Sequence, residues 1–262
     1  MILGLWLDQP IWAMFAWLAA PFAALSLALC LVSGLRFTRP GVLWASRGLV
    51  APYFSAISVL LALLTGFVAN DAWERQRAAA RVVQAERADA RAVHDLSLAS
   101  VSDMRNIRSA LQAYLDAVVQ EEWPRMGEGS YSPEASRRLG LLLEAVAAPV
   151  IATEAGPATH SALLSAAMAL RAARGERLAL SDASSDETKW LVLLILAGLT
   201  LTALSLVHAE RLPAQATSLI LFSVAMVATL GLVALHERPF DGPLALSAEP
   251  LRIALAAMQA PP

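Results

Sequence analysis

The chain has 262 residues, a formal net charge of −2 and 57% hydrophobic residues, with only 16% charged residues and a mean hydropathy of +0.56. This is too apolar for an ordinary soluble domain. The near-neutral balance gives no electrostatic footprint for nucleic acid, and Cys30, the only cysteine, excludes a disulfide framework.

Four uncharged apolar runs, Ile11–Ser33, Gly48–Asn70, Trp190–Val207 and Leu212–Leu235, are each long enough to cross a hydrocarbon core about 30 Å thick. Trp6, Trp12, Trp44, Trp73 and Trp190 stand at or near their edges, as interfacial anchors do. The first run lacks a basic leader and a small-residue cleavage site, so it reads as a span and not as a signal peptide. The expected fold is all-α: a four-span integral membrane protein with a large helical extramembrane segment between spans two and three. The chain divides by composition into residues 1–70, the first transmembrane pair; 71–189, the extramembrane helical domain; 190–235, the second transmembrane pair; and 236–262, a Pro-rich tail.

The stretch 71–121 has no Gly or Pro. Val93, Leu96, Ser100, Met104, Ile107, Leu111, Tyr114 and Val118 recur at steps of three and four, which predicts one amphipathic face. Unbroken, such a helix would project roughly 70 Å, so a bend or break is expected. Ser132 as cap and Pro133 at the first position predict a helix ending before Pro149. A further helix over Ala158–Leu180 is expected to turn Leu163, Leu164, Ala167, Met168 and Leu170 inward, with Ser181–Thr188 as a polar linker. In the tail, Pro239, Gly242, Pro243 and Pro250 delay any helix to Leu251, and Phe240 and Leu244 are expected to anchor the segment.

Orientation is opposed by its own signals. Arg36, Arg39 and Arg47 in the first short loop and Arg211 in the second favour a cytoplasmic position for those loops; Arg75, Arg77, Arg81 and Arg238 favour the opposite side.

Span two carries the informative pattern. Ser55, Ser58, Ala62, Thr65 and Ala69, followed by Asn70, form a stripe of small and weakly polar residues, fit for close helix packing or for lining a pore. Asp71, Glu74 and Arg75 follow at its exit, where several copies around an axis would make a polar ring. The corner Gln120–Pro133 places Glu121 and Glu122 next to Trp123-Pro124 and Gly127-x-Gly129. Adjacent helical residues point about 100° apart, so the pair predicts a turn and not an acid–base site. His94, His160, His208 and His236 are scattered, which predicts capping or solvated roles and no metal site. No phosphate loop, dinucleotide fingerprint or nucleophile elbow occurs, so neither catalysis nor a cofactor is expected.

Taken together, Gly66–Ala79 leading out of span two, the Val83–Glu86 region, Tyr114, Glu122-Trp123-Pro124 with Met126, and Pro239-Phe240-Asp241-Gly242 with Ser247–Leu251 resemble the bacterial bestrophin-like membrane proteins. The likeness runs from about Gly48 to Leu255, and more distantly the chain is similar to the bestrophin anion channels. That resemblance implies structural roles for Glu122, Trp123, Pro124, Pro239, Phe240 and Gly242. It further implies a pentamer in the bacterial inner membrane, span two around the pore, and a cytoplasmic helical segment. Val68 stands where bestrophins carry an arginine after the phenylalanine, and Ser58 and Leu61 replace bulky neck residues. The residues themselves leave two functions open: an oligomeric ion channel, or a membrane-anchored sensor or scaffold whose helical domain binds a ligand or an unknown protein partner.

Overall fold

The computed structural model describes residues 6–46, 51–100, 102–182 and 187–259. Arg47 and positions 48–50 of the second expected span, and positions 183–186 of the expected linker, lie outside the described residues. All regular elements among the described residues are helical. In chain order they are α1 (Ile11–Gly34), α2 (Arg39–Ala45), α3 (Ala51–Ala99), α4 (Arg105–Ala117), a π-helical turn (Val118–Glu122), α5 (Trp123–Met126), α6 (Pro133–Ala147), α7 (Pro149–Ala155), α8 (Pro157–Asp182), α9 (Glu187–Val207), α10 (Leu212–Leu235) and α11 (Glu249–Gln259). Four of them, α1, α3, α9 and α10, are long and apolar enough to cross a membrane.

Two compact units divide the chain: Met1–Glu74 with Ser185–Glu237, and Arg75–Ser184 with Arg238–Pro262. In the first, Met14, Leu18 and Phe22 of α1, Leu61, Val68 and Ala72 of α3, Trp190, Leu193, Ala197 and Leu201 of α9, and Leu219, Leu230 and Val233 of α10 share one core. Close helix approach there depends on a small residue. A Cβ added at Gly231 of α10 would stand 2.3 Å from the Phe15 ring of α1. One buried side chain ties three spans: Gln215 of α10 donates through Nε2 to Ser33 Oγ of α1 at 2.8 Å, and to the Ser205 carbonyl and hydroxyl of α9 at 3.0 and 2.6 Å.

In the second unit, Ile107, Leu111, Tyr114 and Leu115 of α4 pack with Leu139, Leu142 and Val146 of α6, Leu163, Ala167 and Leu170 of α8, and Leu251, Ala254, Leu255 and Met258 of α11. Gln112 Nε2 donates to the Met258 carbonyl at 2.8 Å, fixing α11 against α4. The helix starts follow local chemistry: Ser132 accepts from Ala135 N at 3.2 Å, and prolines occupy the first positions of α6, α7 and α8, where no N–H is needed. Gly156, at φ +83°, makes the backward step between α7 and α8.

The break expected along the face over 93–118 falls between α3 and α4, where Ser100 Oγ accepts from Ser102 N at 3.3 Å and Asp103 Oδ1 accepts from Arg105 N at 3.1 Å. Short polar side chains compete there with the helical ladder and start a new helix. Other expectations are corrected. The first part of the expected corner Gln120–Pro133 is helical: the π-helical turn precedes Pro124, and α5 carries on to Met126. Leu164 and Met168 are 37% and 47% exposed, because the buried line of α8 runs through Leu163, Ala167, Leu170, Arg174 and Arg177. Leu244 is also exposed, so Phe240 anchors the tail without it, and α11 starts two residues before Leu251.

Candidate functional site

The spanning part of α3 turns Leu61, Val68 and Ala72 toward the other spans. Ser55, Ser58, Ala62, Thr65 and Ala69 of the stripe lie on the flank of that packed face, at about 40–120° around the helix from Leu61, and Asn70 lies about 180° from it. Ser55, Ala62 and Asn70 are exposed, Ser58 and Thr65 are half-buried, and Ala69 is packed in the core at 8% exposure. The Thr65 hydroxyl donates to the Leu61 carbonyl at 2.7 Å. The Ser58 hydroxyl is buried and has no hydrogen-bond partner among the described residues. Only 17% of the most apolar stretch of α3 is buried and 11% of that of α1, against 33% for α9 and 39% for α10, so α1 and α3 both leave much of their surface uncovered by their own chain. Below the stripe, Asp71 pairs with Lys189 at the head of α9, at 2.8 Å. Glu74 is exposed and Arg75 half-buried.

In the second unit the corner predicted around Glu122 holds more chemistry than a turn needs. The wider π-helical turn, closed by Trp123 N donating to the Val118 carbonyl, carries the Glu122 side chain into the interior; such turns recur at functional sites. There Glu122 Oε1 accepts from Arg174 Nε at 3.0 Å and from Arg177 Nη2 at 2.8 Å, and Oε2 accepts from Arg174 Nη2 and from Ser132 N at 3.3 Å. Arg177 Nε and Nη2 grip Glu86 of α3 at 2.6 and 3.1 Å. Tyr114 of α4 donates to Glu86 Oε1 at 2.7 Å, and Ser136 of α6 accepts from Arg174 at 2.8 Å. Two carboxylates and two guanidiniums thus sum to zero charge, with every carboxylate oxygen engaged. Glu121, its neighbour in sequence, takes no part and accepts instead from the Ser132 hydroxyl at 3.1 Å.

Burial alone pushes Glu122 up, but the hydrogen bond from Arg174 and the charges of Arg177 and Arg174 outweigh it and hold the carboxyl below its ordinary value. Burial lowers Arg177, yet Glu86 more than compensates, so it stays protonated. Burial and the Glu86 charge push the Tyr114 hydroxyl well up, which keeps it a donor.

The network continues into the tail. The Arg177 guanidinium lies 5.3 Å from the Trp123 ring centroid, and Trp123 meets Phe240 edge-on at 5.8 Å. Trp123 Nε1 donates to the Leu246 carbonyl at 3.1 Å, so the segment 239–246 is held on the ion cluster. Pro124 stands in the first turn of α5, and Gly242, at φ +90°, turns the tail after Phe240. Sequence reasoning alone misses Arg174 and Arg177 as members of this site.

The histidines cap helices: His208 and His236 donate from Nδ1 to the Leu204 and Leu232 carbonyls at 3.1 and 2.9 Å, and His160 reaches the Val146 carbonyl at 3.1 Å. No group of three or more metal-ligating side chains comes together among the described residues.

Four spanning helices with a helical bundle inserted between the second and third define an all-helical, multi-pass membrane protein. A bestrophin-like domain matches residues 20–251, and the chain belongs to the bestrophin-like family. Among solved structures it is similar to a mutant of a bacterial bestrophin homolog from Klebsiella pneumoniae, at 18% identity and a TM-score of 0.70, over 94% of this chain and 99% of that one. A second structure of the bacterial bestrophin homolog from that organism gives a TM-score of 0.67 with the same identity and coverage. No curated protein matches the chain.

Proposed function

We propose that the chain is a subunit of an oligomeric anion channel of the bacterial inner membrane, with α3 lining the pore. The observation that carries this reading is the exposed flank of α3. In a bestrophin-like chain, Ser55 and Ala62 on this flank, and Asn70 beyond it, stay uncovered within the protomer; lipid, water or another subunit meets them, and the hydroxyl and amide of Ser55 and Asn70 favour water or a subunit over lipid. Ser58 and Thr65 border the flank, and Asp71, Glu74 and Arg75 follow it at the exit. Of these, Asp71 is balanced by Lys189, which limits how strongly the exit repels anions. No formal charge lies within the spans, so the pore presents hydroxyls and backbone dipoles to the ion and no fixed charge. By resemblance the assembly is a pentamer with the second unit in the cytoplasm.

The test is thiol accessibility in assembled protein in vesicles, on a Cys30→Ala background. Single cysteines replacing Ser55, Ala62 and Asn70 react with a membrane-impermeant thiol reagent, whereas one replacing Leu60, on the far side of the helix, does not. Failure of all three to react would overturn the pore assignment.

A further inference from the structure

We propose that the first unit binds an anionic phospholipid, its phosphate among Arg36, Arg39 and Arg211 and one acyl chain between α1 and α10. From Gln9 to Asn70 the sequence has no acidic residue, and its only charges are Arg36, Arg39 and Arg47. The turn after α1 that carries the first two is fixed: Arg39 N donates to the Leu35 carbonyl at 3.0 Å, and the Thr38 hydroxyl donates to the Val32 carbonyl. The turn before α10 lies beside it. A Cβ added at Gly34 would meet Leu212 Cδ1 at 3.8 Å, and Gln215 reaches Ser33 at 2.8 Å, so Arg211 stands at the same end of the spans as Arg36.

Two observations point to a lipid. The first is charge. Arg36, Arg39 and Arg211 are exposed, and their side chains make no hydrogen bond or ion pair among the described residues. Glu210 is the one carboxylate in the two turns, so positive charge is in surplus. Apolar side chains are interleaved with it: Phe37 is 99% exposed, and Leu35 and Trp44 are exposed too. Unpaired guanidiniums among uncovered apolar side chains, at the end of a span, match a layer of anionic headgroups. The guanidinium fork pairs with two phosphate oxygens at once.

The second is a cavity of about 710 Å³ between α1 and α10, running from Cys30 and Ala216 at the arginine end to Phe15 and Ala228. Over Ala216–Ala228 that is about 18 Å of helix, enough for the ~15 Å hydrocarbon depth of one leaflet. Ser26 and Ser223, the two hydroxyls in its lining, bond each other at 3.2 Å, so the wall accepts an acyl chain without losing a hydrogen bond. Cys30 and Ala216 are each four residues, about 6 Å, from Gly34 and Leu212. A chain in the cavity therefore brings its headgroup to the two turns. An apolar segment of another subunit would fill the cavity but leave the guanidiniums unpaired, whereas an anionic phospholipid meets both.

The experiment is thermal unfolding of the purified, assembled protein in detergent, titrated separately with phosphatidylglycerol, with phosphatidylcholine of the same chains and with inorganic phosphate. Phosphatidylglycerol raises the unfolding midpoint by several degrees, well above the shift given by either of the others. Arg36→Gln combined with Arg211→Gln brings that shift down to the phosphatidylcholine value. Ala23→Phe, at an exposed position in the lining, fills the cavity and reduces the shift as well. Equal shifts with both lipids overturn the proposal, as does a shift that inorganic phosphate reproduces or one unchanged in either variant. Should a variant fail to assemble, the wild type decides in about 1 M salt, where the Debye length is ~3 Å. A preference for phosphatidylglycerol that falls there supports the arginine site, and an unchanged preference overturns it.

Discussion

Arg177 and Glu86, 91 positions apart in sequence, form a two-pronged ion pair with no solvent exposure on either side chain. The pair joins α8 to α3, and through Tyr114 and Glu122 it also fixes α4 and the π-helical turn. Taking one partner away leaves the other charge buried and unpaired, at a cost of about 3–5 kcal/mol. Arg177→Met is therefore expected to lower the unfolding midpoint sharply, as read by thermal denaturation in detergent. Arg177→Lys should recover little of it, because an ammonium cannot reproduce the fork that spans Glu86 and Glu122.

Acid should weaken the same network at Glu122. Its folded pKa lies below the ordinary glutamate value of 4.5, so its contribution is fully present above that value and is lost as the pH falls through the folded pKa. The wild-type unfolding midpoint should thus drop as the pH is taken down from 4.5. Glu122→Gln should be less stable near neutrality and show a flatter profile in the acid window. A variant with the wild-type acid slope would remove Glu122 from the account.

Two glycines separate close packing from open surface. Gly231→Ala puts a methyl 2.3 Å from the Phe15 ring, so Phe15 or the helix must shift, costing about 1–3 kcal/mol. Gly66→Ala meets nothing within 4 Å and should stabilise α3 by about 0.5–1 kcal/mol. Unfolding midpoints of the two variants should move in opposite directions.

Gln215 tests polar bonding between spans. Gln215→Leu removes its bonds to Ser33 and Ser205 and should cost about 0.6–1.7 kcal/mol. Ser33→Ala and Ser205→Ala together should cost less than the sum of the two, since both serines bond the same amide nitrogen.

The spans were legible because an uncharged apolar run of about twenty residues is long enough to cross a bilayer and too apolar to rest in water. Ser132-Pro133 was legible because cap and proline agree. A break in the long helix was expected from its length, but its position between Ala99 and Arg105 was hidden by the apolar period, which continues across it while local side-chain hydrogen bonds turn the backbone. The ion network was harder to see on other grounds. Leu163, Ala167, Leu170, Arg174 and Arg177 keep one face of α8, and Ala79, Val83, Glu86, Ala90 and Val93 keep one face of α3, all at steps of four and three. Charges placed on an otherwise buried line were the available signal. What paired them, Glu122 in particular, depended on the extra residue of the π-helical turn, which no spacing rule exposes. The stripe on α3 was readable as a pattern, but which neighbour covers it is a property of the assembly and not of one chain.

The central claim, a pore lined by α3, is tested most directly by chloride and potassium flux from proteoliposomes of assembled wild-type, Ala62→Trp and Leu60→Trp protein. Both substituted positions are exposed in the protomer and lie on opposite sides of the helix. The account predicts chloride flux in the wild type, its loss in Ala62→Trp and its retention in Leu60→Trp. Absence of flux from folded, assembled wild-type protein, or undiminished flux through Ala62→Trp, would contradict it.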